Sequence, residues 1–187
     1  MKKPIYIYIF GLMILFSISC SSETEQSIEL IDSKVEIISD RERLGSYGFN
    51  EEGIELIPTS LYYEFSLKND GKVKIGELVN DPLKIEIEPN DTLINASNEV
   101  IGFNVFNPFY YNNTGLGYGG SSTPVLKPGE EGQFILTFDL GVSHENNHIK
   151  VMVPPVEKLK ILEDNALDAT LIISTNVGEI ARFDLHK

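Results

Sequence analysis

The sequence of 187 residues contains a single cysteine, Cys20, and no tryptophan. One cysteine cannot form a disulfide within the chain, so the fold must be held together by its apolar core and its hydrogen bonds. Hydrophobic residues make up 42% of the chain, and the mean hydropathy is −0.06. These values exclude a protein with several membrane spans and a chain that is disordered throughout. A single domain is expected.

Positive charge is also scarce. The chain has 15 Lys and Arg residues against 28 Asp and Glu residues, which gives a net charge of −13. Lys2 and Lys3 lie in an N-terminal segment that is predicted below to be removed, and their loss would leave a net charge of −15. The sequence contains no cluster of Lys and Arg residues that would offset this negative charge, and a negatively charged protein surface repels phosphate backbones. The charge therefore argues against nucleic acid as a partner.

The first twenty residues have the three parts of an export signal. Lys2 and Lys3 precede an apolar run over residues 5–16, and the small residues Ser17 and Ser19 follow directly before Cys20. As a helix, residues 4–19 would extend about 24 Å at about 1.5 Å per residue, which is short of the hydrocarbon core of a bilayer. A cleaved signal is therefore favoured over a permanent transmembrane helix.

The segment Ser17-Ile18-Ser19-Cys20 resembles the lipobox of bacterial lipoproteins. That resemblance implies transfer of a diacylglyceryl group to the Cys20 sulfur, cleavage before Cys20, and anchoring on the extracytoplasmic face of a bacterial cell membrane. The segment departs from the family at Ser17, where an aliphatic residue is usual, so cleavage by an ordinary signal peptidase stays open. The predicted organisation is a signal peptide over residues 1–19, an acylated tether over 20–27 and one domain over 28–187.

The rest of the chain shows hydrophobic residues at every second position, which is typical of strands with one buried face. Leu61, Tyr63, Phe65 and Leu67 are the clearest example. The same alternation, with turn residues between the segments, predicts strands within residues 29–38, 83–87, 100–106, 134–140, 149–153, 169–175 and 179–185. Only residues 157–169 are a candidate helix, and they fit a strand equally well. The sequence predicts an all-β, antiparallel β-sandwich of eight or nine strands.

Two short patterns resemble the bacterial immunoglobulin-like domains found on exported lipoproteins. One is the turn over residues 128–131, which precedes a Phe-rich strand, and the other is the F-x-L-x-N-x-G pattern that begins at Phe65. The resemblance implies an immunoglobulin-like sandwich after the signal segment. It implies no particular function, because these domains have many.

The pentapeptide His144-Glu145-Asn146-Asn147-His148 matches the H-E-x-x-H pattern of zinc hydrolases. That chemistry requires both imidazoles on one face of a helix, so that they bind Zn²⁺ while the glutamate activates a water. Here the asparagines favour a turn, and the segment lies between two predicted strands. A polar loop without metal is therefore expected, and a metal-dependent hydrolase using His144, Glu145 and His148 is the alternative.

A second pattern, G-x-G-x-x-G over residues 115–120, is the fingerprint of dinucleotide sites when a helix follows it. Ser121-Ser122-Thr123-Pro124 follows instead and begins no helix, so no cofactor is expected. The glycines belong to a long predicted loop, residues 107–123, that is rich in Tyr, Asn and Gly. Loops of this composition suit recognition surfaces, although the aromatic residues could instead close the end of the core.

Within this loop, Tyr110, Tyr111 and Tyr118 are the candidate binding residues. The sequence thus predicts a membrane-anchored, exported lipoprotein whose sandwich is a binding or interaction module and not an enzyme. Its expected partners are the membrane, through the lipid on Cys20, and a cell-envelope protein or polysaccharide. The ligand itself cannot be read from the residues.

Overall fold

The computed structural model describes residues 26–186, which form seven strands, three α-helices and one 3₁₀ helix. The strands are β1 (Ile28–Ile38), β2 (Pro58–Asn69), β3 (Lys84–Pro89), β4 (Tyr118–Ser122), β5 (Glu131–Val142), β6 (Ala169–Ser174) and β7 (Glu179–Asp184). The helices are α1 (Arg41–Leu44), α2 (Asp91–Ile101), the 3₁₀ helix Pro108–Tyr111 and α3 (Val156–Asp164). The predicted signal peptide and Cys20 lie outside the described residues.

The strands form two antiparallel sheets, so the all-β, sandwich-like architecture predicted from the sequence is confirmed. One sheet has the order β1-β2-β5-β4 and the other has the order β3-β6-β7. Numbered along the chain, this is the A-B-E-D and C-F-G arrangement of a seven-stranded immunoglobulin sandwich of the constant type. The predicted C-terminal hairpin is also present, as β6 paired with β7.

The apolar alternation of the central strands forms the core between the sheets. Tyr63, Phe65 and Leu67 of β2 are fully buried, as are Phe134 and Leu140 of β5. The outward face of β2 is more covered than simple alternation predicts, because neighbouring side chains lie over it. The guanidinium of Arg43, for example, lies 4.0 Å from the ring centroid of Tyr62.

Helix α2 overturns the prediction of a strand over residues 100–106. The side chain of Asn90 accepts a hydrogen bond from the amide of Leu93, and Gly102 ends the helix with a φ of 92°. Leu93, Ala96 and Val100 are buried at helical spacing. Asn90 belongs to the turn residues that follow the predicted strand over 83–87, and the same residue type is also a preferred helix start.

Two further strand predictions differ from the structure. Residues 149–153 form no strand, and Met152 makes only an isolated bridge to Val142. The ambiguous segment 157–169 is helix α3 over Val156–Asp164, whose Leu159 and Leu162 are buried. The described chain therefore has seven strands where eight or nine were predicted. No helix within residues 26–186 is long and apolar enough to cross a bilayer.

Candidate functional site

The predicted loop over residues 107–123 is only partly a loop. Pro108–Tyr111 is a 3₁₀ helix, and Tyr118–Ser122 is strand β4 at the edge of the larger sheet. Strand β4 pairs with β5, so that Tyr118 lies opposite Phe138 and Ser122 opposite Phe134. The G-x-G-x-x-G pattern thus runs into an edge strand, because Gly115 and Gly117 precede β4 and Gly120 lies within it, where a dinucleotide site requires a helix.

The structure separates the three candidate tyrosines. Tyr110 and Tyr118 expose 48% and 53% of their surface, whereas Tyr111 exposes only 6%. The Tyr111 ring packs 5.3 Å from that of Tyr118 and 5.6 Å from that of Phe103, measured between centroids. Its hydroxyl donates a 3.2 Å hydrogen bond to the carbonyl oxygen of Asp139. Tyr111 therefore supports Tyr118 from inside and presents little surface to a ligand.

Asp139 is the polar centre beneath this surface. The sequence pattern predicted it to face outward from β5, but it is buried. Its carboxylate accepts hydrogen bonds from the hydroxyl of Ser60 at 2.5 Å, from the amide of Gly117 at 3.3 Å, and from the hydroxyl of Tyr47. Because a buried carboxylate needs partners, these donors from three separate segments hold the segment before β4 against the sheet.

Burial and the neighbouring carboxylate also change the acidity of two tyrosines. Burial, with the hydrogen bond and the charge of Asp139 adding to it, raises the pKa of Tyr47 far above its ordinary value. Burial raises the pKa of Tyr111 in the same way, and the negative charge of Asp139 contributes. Both hydroxyls therefore remain protonated donors at physiological pH.

A cleft of about 270 Å³ with a mixed polar and apolar lining borders Tyr118, and we call it the polar cleft for the charged and hydroxyl groups that it contains. Arg43, Ser46, Tyr47, Thr137 and Asp139 contribute its polar groups. Arg43 is fixed at its rim, because its guanidinium donates to a carboxylate oxygen of Glu36 at 2.6 Å and lies over the ring of Tyr62. The hydrogen bond to Arg43 lowers the pKa of Glu36, so both groups are charged at neutral pH.

An apolar cleft of about 370 Å³ also borders Tyr118 and lies between the edge strands β3 and β4 of the two sheets. Ile85 of β3, Phe106, Leu136 and Phe138 line it. Tyr118 belongs to the walls of both clefts. Its half-exposed side chain lies on the same sheet face as Phe138, its partner in β5. We call Tyr118 and the two clefts that it borders the Tyr118 surface.

The H-E-x-x-H segment is a loop in the structure, as the asparagines predicted. The side-chain oxygen of Asn146 accepts hydrogen bonds from the amides of His148 and Ile149, which turns the chain. His144 contacts Ser143 through Nδ1 at 2.9 Å. Within residues 26–186 no group of three or more His, Cys, Asp or Glu side chains is placed to hold a metal ion. The helical geometry on which the hydrolase alternative depends is therefore missing from this segment.

Sequence reasoning missed Asp139, Tyr47, Ser60 and Arg43. No local motif marks them, since their segments lie far apart in the chain and meet only in the folded sheet. The one available signal was an aspartate inside a largely apolar strand, residues 134–140, where an acidic side chain needs either solvent or buried donors. No protein-family model, no curated protein and no solved structure matches this chain.

Proposed function

We propose that this chain is an exported lipoprotein, anchored through Cys20 on the outer face of a bacterial membrane, and that its sandwich is a binding module without catalytic activity. The observation that carries the binding proposal is that half-exposed Tyr118 borders two clefts and packs on the buried Tyr111. An aromatic ring that is half exposed yet supported from inside loses little conformational freedom when a ligand covers it.

We also propose that the binding module is an immunoglobulin-like domain. The A-B-E-D and C-F-G strand order supports a relationship with the immunoglobulin-like domains of exported proteins. These modules commonly carry recognition surfaces on loops and edges, so the relationship is compatible with binding but names no ligand.

A cell-envelope saccharide fits the Tyr118 surface best. The flat, C–H-rich face of a sugar ring stacks on an aromatic side chain, and sugar hydroxyls need both donors and acceptors beside it. Arg43 supplies donors, and the hydroxyls of Ser46 and Thr137 can both donate and accept in the polar cleft. Because the chain is strongly acidic, a neutral or cationic saccharide is favoured over an anionic one.

The anchor is tested by labelling cells that express the full chain with radioactive palmitate, alongside a Cys20→Ala variant. We expect label in the wild-type chain, recovery in the membrane fraction and a mass that shows loss of residues 1–19. The Cys20→Ala chain should carry no label and leave the membrane fraction. An intact, unmodified leader, or identical partitioning of both chains, would contradict the anchor.

Binding is tested by retention of purified envelope polysaccharide on the wild-type chain, Tyr118→Ala and Tyr110→Ala. Tyr110 is the matched control, because it is the same residue type with nearly the same exposure but lines neither cleft. We expect Tyr118→Ala to weaken retention by about tenfold or more, because it removes a ring that the bound saccharide would cover. Tyr110→Ala should leave retention unchanged. Equal retention by all three chains, or retention of envelope protein alone, would contradict the saccharide proposal.

A further inference from the structure

Three aliphatic side chains stand out from one end of the sandwich. Leu78 and Val79 lie in the loop between β2 and β3, and Val177 lies in the turn between β6 and β7. They expose 76%, 84% and 88% of their surface. Val79 and Val177 are the two most exposed large hydrophobic residues among residues 26–186. Such side chains on adjacent loops indicate a contact surface, since a free protein gains nothing by presenting them together.

Polar contacts hold these side chains in their exposed positions. The amide of Glu77 donates to the carbonyl oxygen of Asp81 at 2.7 Å, which closes a small loop around Leu78 and Val79. The backbone amide of Asn176 donates to a carboxylate oxygen of Asp81 at 2.6 Å, and its side chain donates to the carbonyl oxygen of Asn80 at 2.7 Å. The two loops are thus joined beneath the aliphatic tips. We call Leu78, Val79 and Val177 the aliphatic tip.

The described chain also begins at this end. Ile28, the first residue of β1, pairs with Asn69, the last residue of β2, where the loop bearing Leu78 begins. The carbonyl oxygen of Ser27 accepts hydrogen bonds from the amides of Asp70 and Gly71 at 3.0 and 3.2 Å. Cys20 precedes Ser27 by seven residues, a length that reaches at most about 25 Å when fully extended. A lipid on Cys20 would therefore hold this end of the sandwich close to the bilayer.

The segment that carries Leu78 and Val79 is less acidic than the rest of the chain, whereas the neighbouring strand ends at the same end carry Glu29, Glu130, Glu131 and Glu179. Residues 68–84 carry four lysines against three acidic residues, a net charge of +1 in a chain of net charge −13. Lys84 at the start of β3 donates to the side chain of Asn176, directly beside Val177. Lysines that flank aliphatic side chains keep their ammonium groups at the headgroup level while the aliphatic groups enter the acyl boundary.

We propose that the aliphatic tip inserts into the interface of the bilayer that holds the lipid anchor, so that the sandwich stands on the membrane with β1 and β2 rising from it. This inference rests on the proposed acylation of Cys20. Two weak membrane contacts, the acyl chains and the aliphatic tip, then act together through the short tether.

Docking in this orientation would also point the Tyr118 surface away from the lipid. Tyr118 pairs with Phe138, and Phe138 pairs with Leu61 of β2. Lys68 at the membrane end of β2 lies seven residues beyond Leu61, a separation of about 23 Å at about 3.3 Å per residue. The cleft would thus remain open to the envelope while the opposite end of the same strands touches the bilayer.

The single cysteine allows a direct test. Once Cys20 is acylated, a cysteine introduced by Val79→Cys or Val177→Cys is the only free thiol, and it can carry an environment-sensitive fluorophore. Val156→Cys is the matched control, because Val156 is also a valine, exposes 76% of its surface and is the first residue of α3, at the opposite end of the sandwich. The acylated full chains are reconstituted in vesicles of phosphatidylethanolamine and phosphatidylglycerol with brominated acyl chains.

We expect quenching and a blue-shifted emission for labels at positions 79 and 177, and neither change for the label at position 156. Vesicle flotation separates the two proposals. A chain that fails to float contradicts the lipid anchor, and this inference falls with it. A chain that floats while all three labels stay unquenched overturns the membrane docking and leaves the anchor intact. If the emission of the label at position 79 shifts to the blue only after envelope proteins are added, the membrane docking is overturned as well, in favour of a protein partner.

Discussion

Ser60 of β2 and Asp139 of β5 face each other across the central strand pair, and the Ser60 hydroxyl donates a 2.5 Å hydrogen bond to Oδ1 of Asp139. Ser60 is fully buried, and the β2–β5 register shifts by one residue immediately before it. This pair places a carboxylate under the Tyr118 surface, where Tyr47 and Gly117 complete its hydrogen bonds. The same group therefore stabilises the sheet and shapes the polar cleft.

Replacing Asp139 should destabilise the fold strongly. In Asp139→Ala the donors of Ser60, Tyr47 and Gly117 lose their shared acceptor, and we expect the free energy of unfolding to fall by about 2–4 kcal/mol. Ser60→Ala removes one donor and leaves the carboxylate with two partners, so its effect should be about 1 kcal/mol. Urea denaturation of the three chains measures the difference. Equal stability of Asp139→Ala and the wild type would show that the network contributes nothing.

Alkaline pH should destabilise the fold through three tyrosines, of which Tyr63 and Tyr111 are buried and Tyr47 is partly exposed. Burial raises the pKa of Tyr47, Tyr63 and Tyr111 above the ordinary value of 10.0. Above pH 10 the unfolded chain releases these protons while the folded chain keeps them, so the free energy of unfolding falls as pH rises. Below pH 10 this stabilisation is fully present. In urea denaturation at a series of pH values above 10, the free energy of unfolding of Tyr47→Phe should fall less steeply with pH than that of the wild type. The same slope in both chains would disprove the contribution of Tyr47.

Asn69 should be essential at the end of β2. Its side chain is fully buried, donates to the carbonyl oxygens of Val73 and Leu126 at 2.8 and 2.9 Å, and accepts from the amide of Gly71 at 2.9 Å. We expect Asn69→Ala to lower the free energy of unfolding by about 2–3 kcal/mol. Asn69→Asp keeps the acceptor but turns a negative charge toward two carbonyls, so at neutral pH it should be at least as destabilising. If Asn69→Asp and the wild type unfold at the same temperature, this role of Asn69 is contradicted.

Two neighbouring glycines offer a matched pair for the Tyr118 surface. A methyl group at Gly120 would collide with the carbonyl oxygen of Ile135, whereas one at Gly119 meets only the Thr137 hydroxyl, at 3.7 Å. Gly120→Ala should therefore displace β4 and cost about 1–3 kcal/mol, while Gly119→Ala should be nearly neutral. Amide hydrogen exchange of β4 and saccharide retention measure both effects. Similar protection of β4 in the two variants would show that close approach at Gly120 is not required.

Local patterns predicted much of the sheet framework. The period-two alternation over residues 61–67 and 134–140 placed β2 and β5, and the turn residues between 175 and 179 placed the β6–β7 hairpin. The same reasoning missed α2, because Asn90 is equally suited to a turn and to a helix cap. It also predicted a strand over residues 149–153, whose apolar residues pack on the core without forming a ladder.

The candidate site was harder to predict than the strands. A Tyr-rich segment marked Tyr110, Tyr111 and Tyr118 as equivalent, and only packing distinguished the buried Tyr111 from the two exposed rings. The aliphatic tip gave no signal in the sequence, since Leu78, Val79 and Val177 read as ordinary apolar residues. Their exposure and the contact between their loops depend on hydrogen bonds between residues almost a hundred positions apart.

The sequence by itself determined the strand-rich class, the acidic surface and the predicted modification at Cys20, because each depends on residues that are neighbours in the chain or on composition alone. The tertiary structure decided which polar side chains are buried together, which tyrosine a ligand can reach, and which loops share an end with the start of β1. Those properties arise where the sheets pair and pack, since the burial of Asp139 depends on Tyr47, Ser60 and Gly117 meeting it in space.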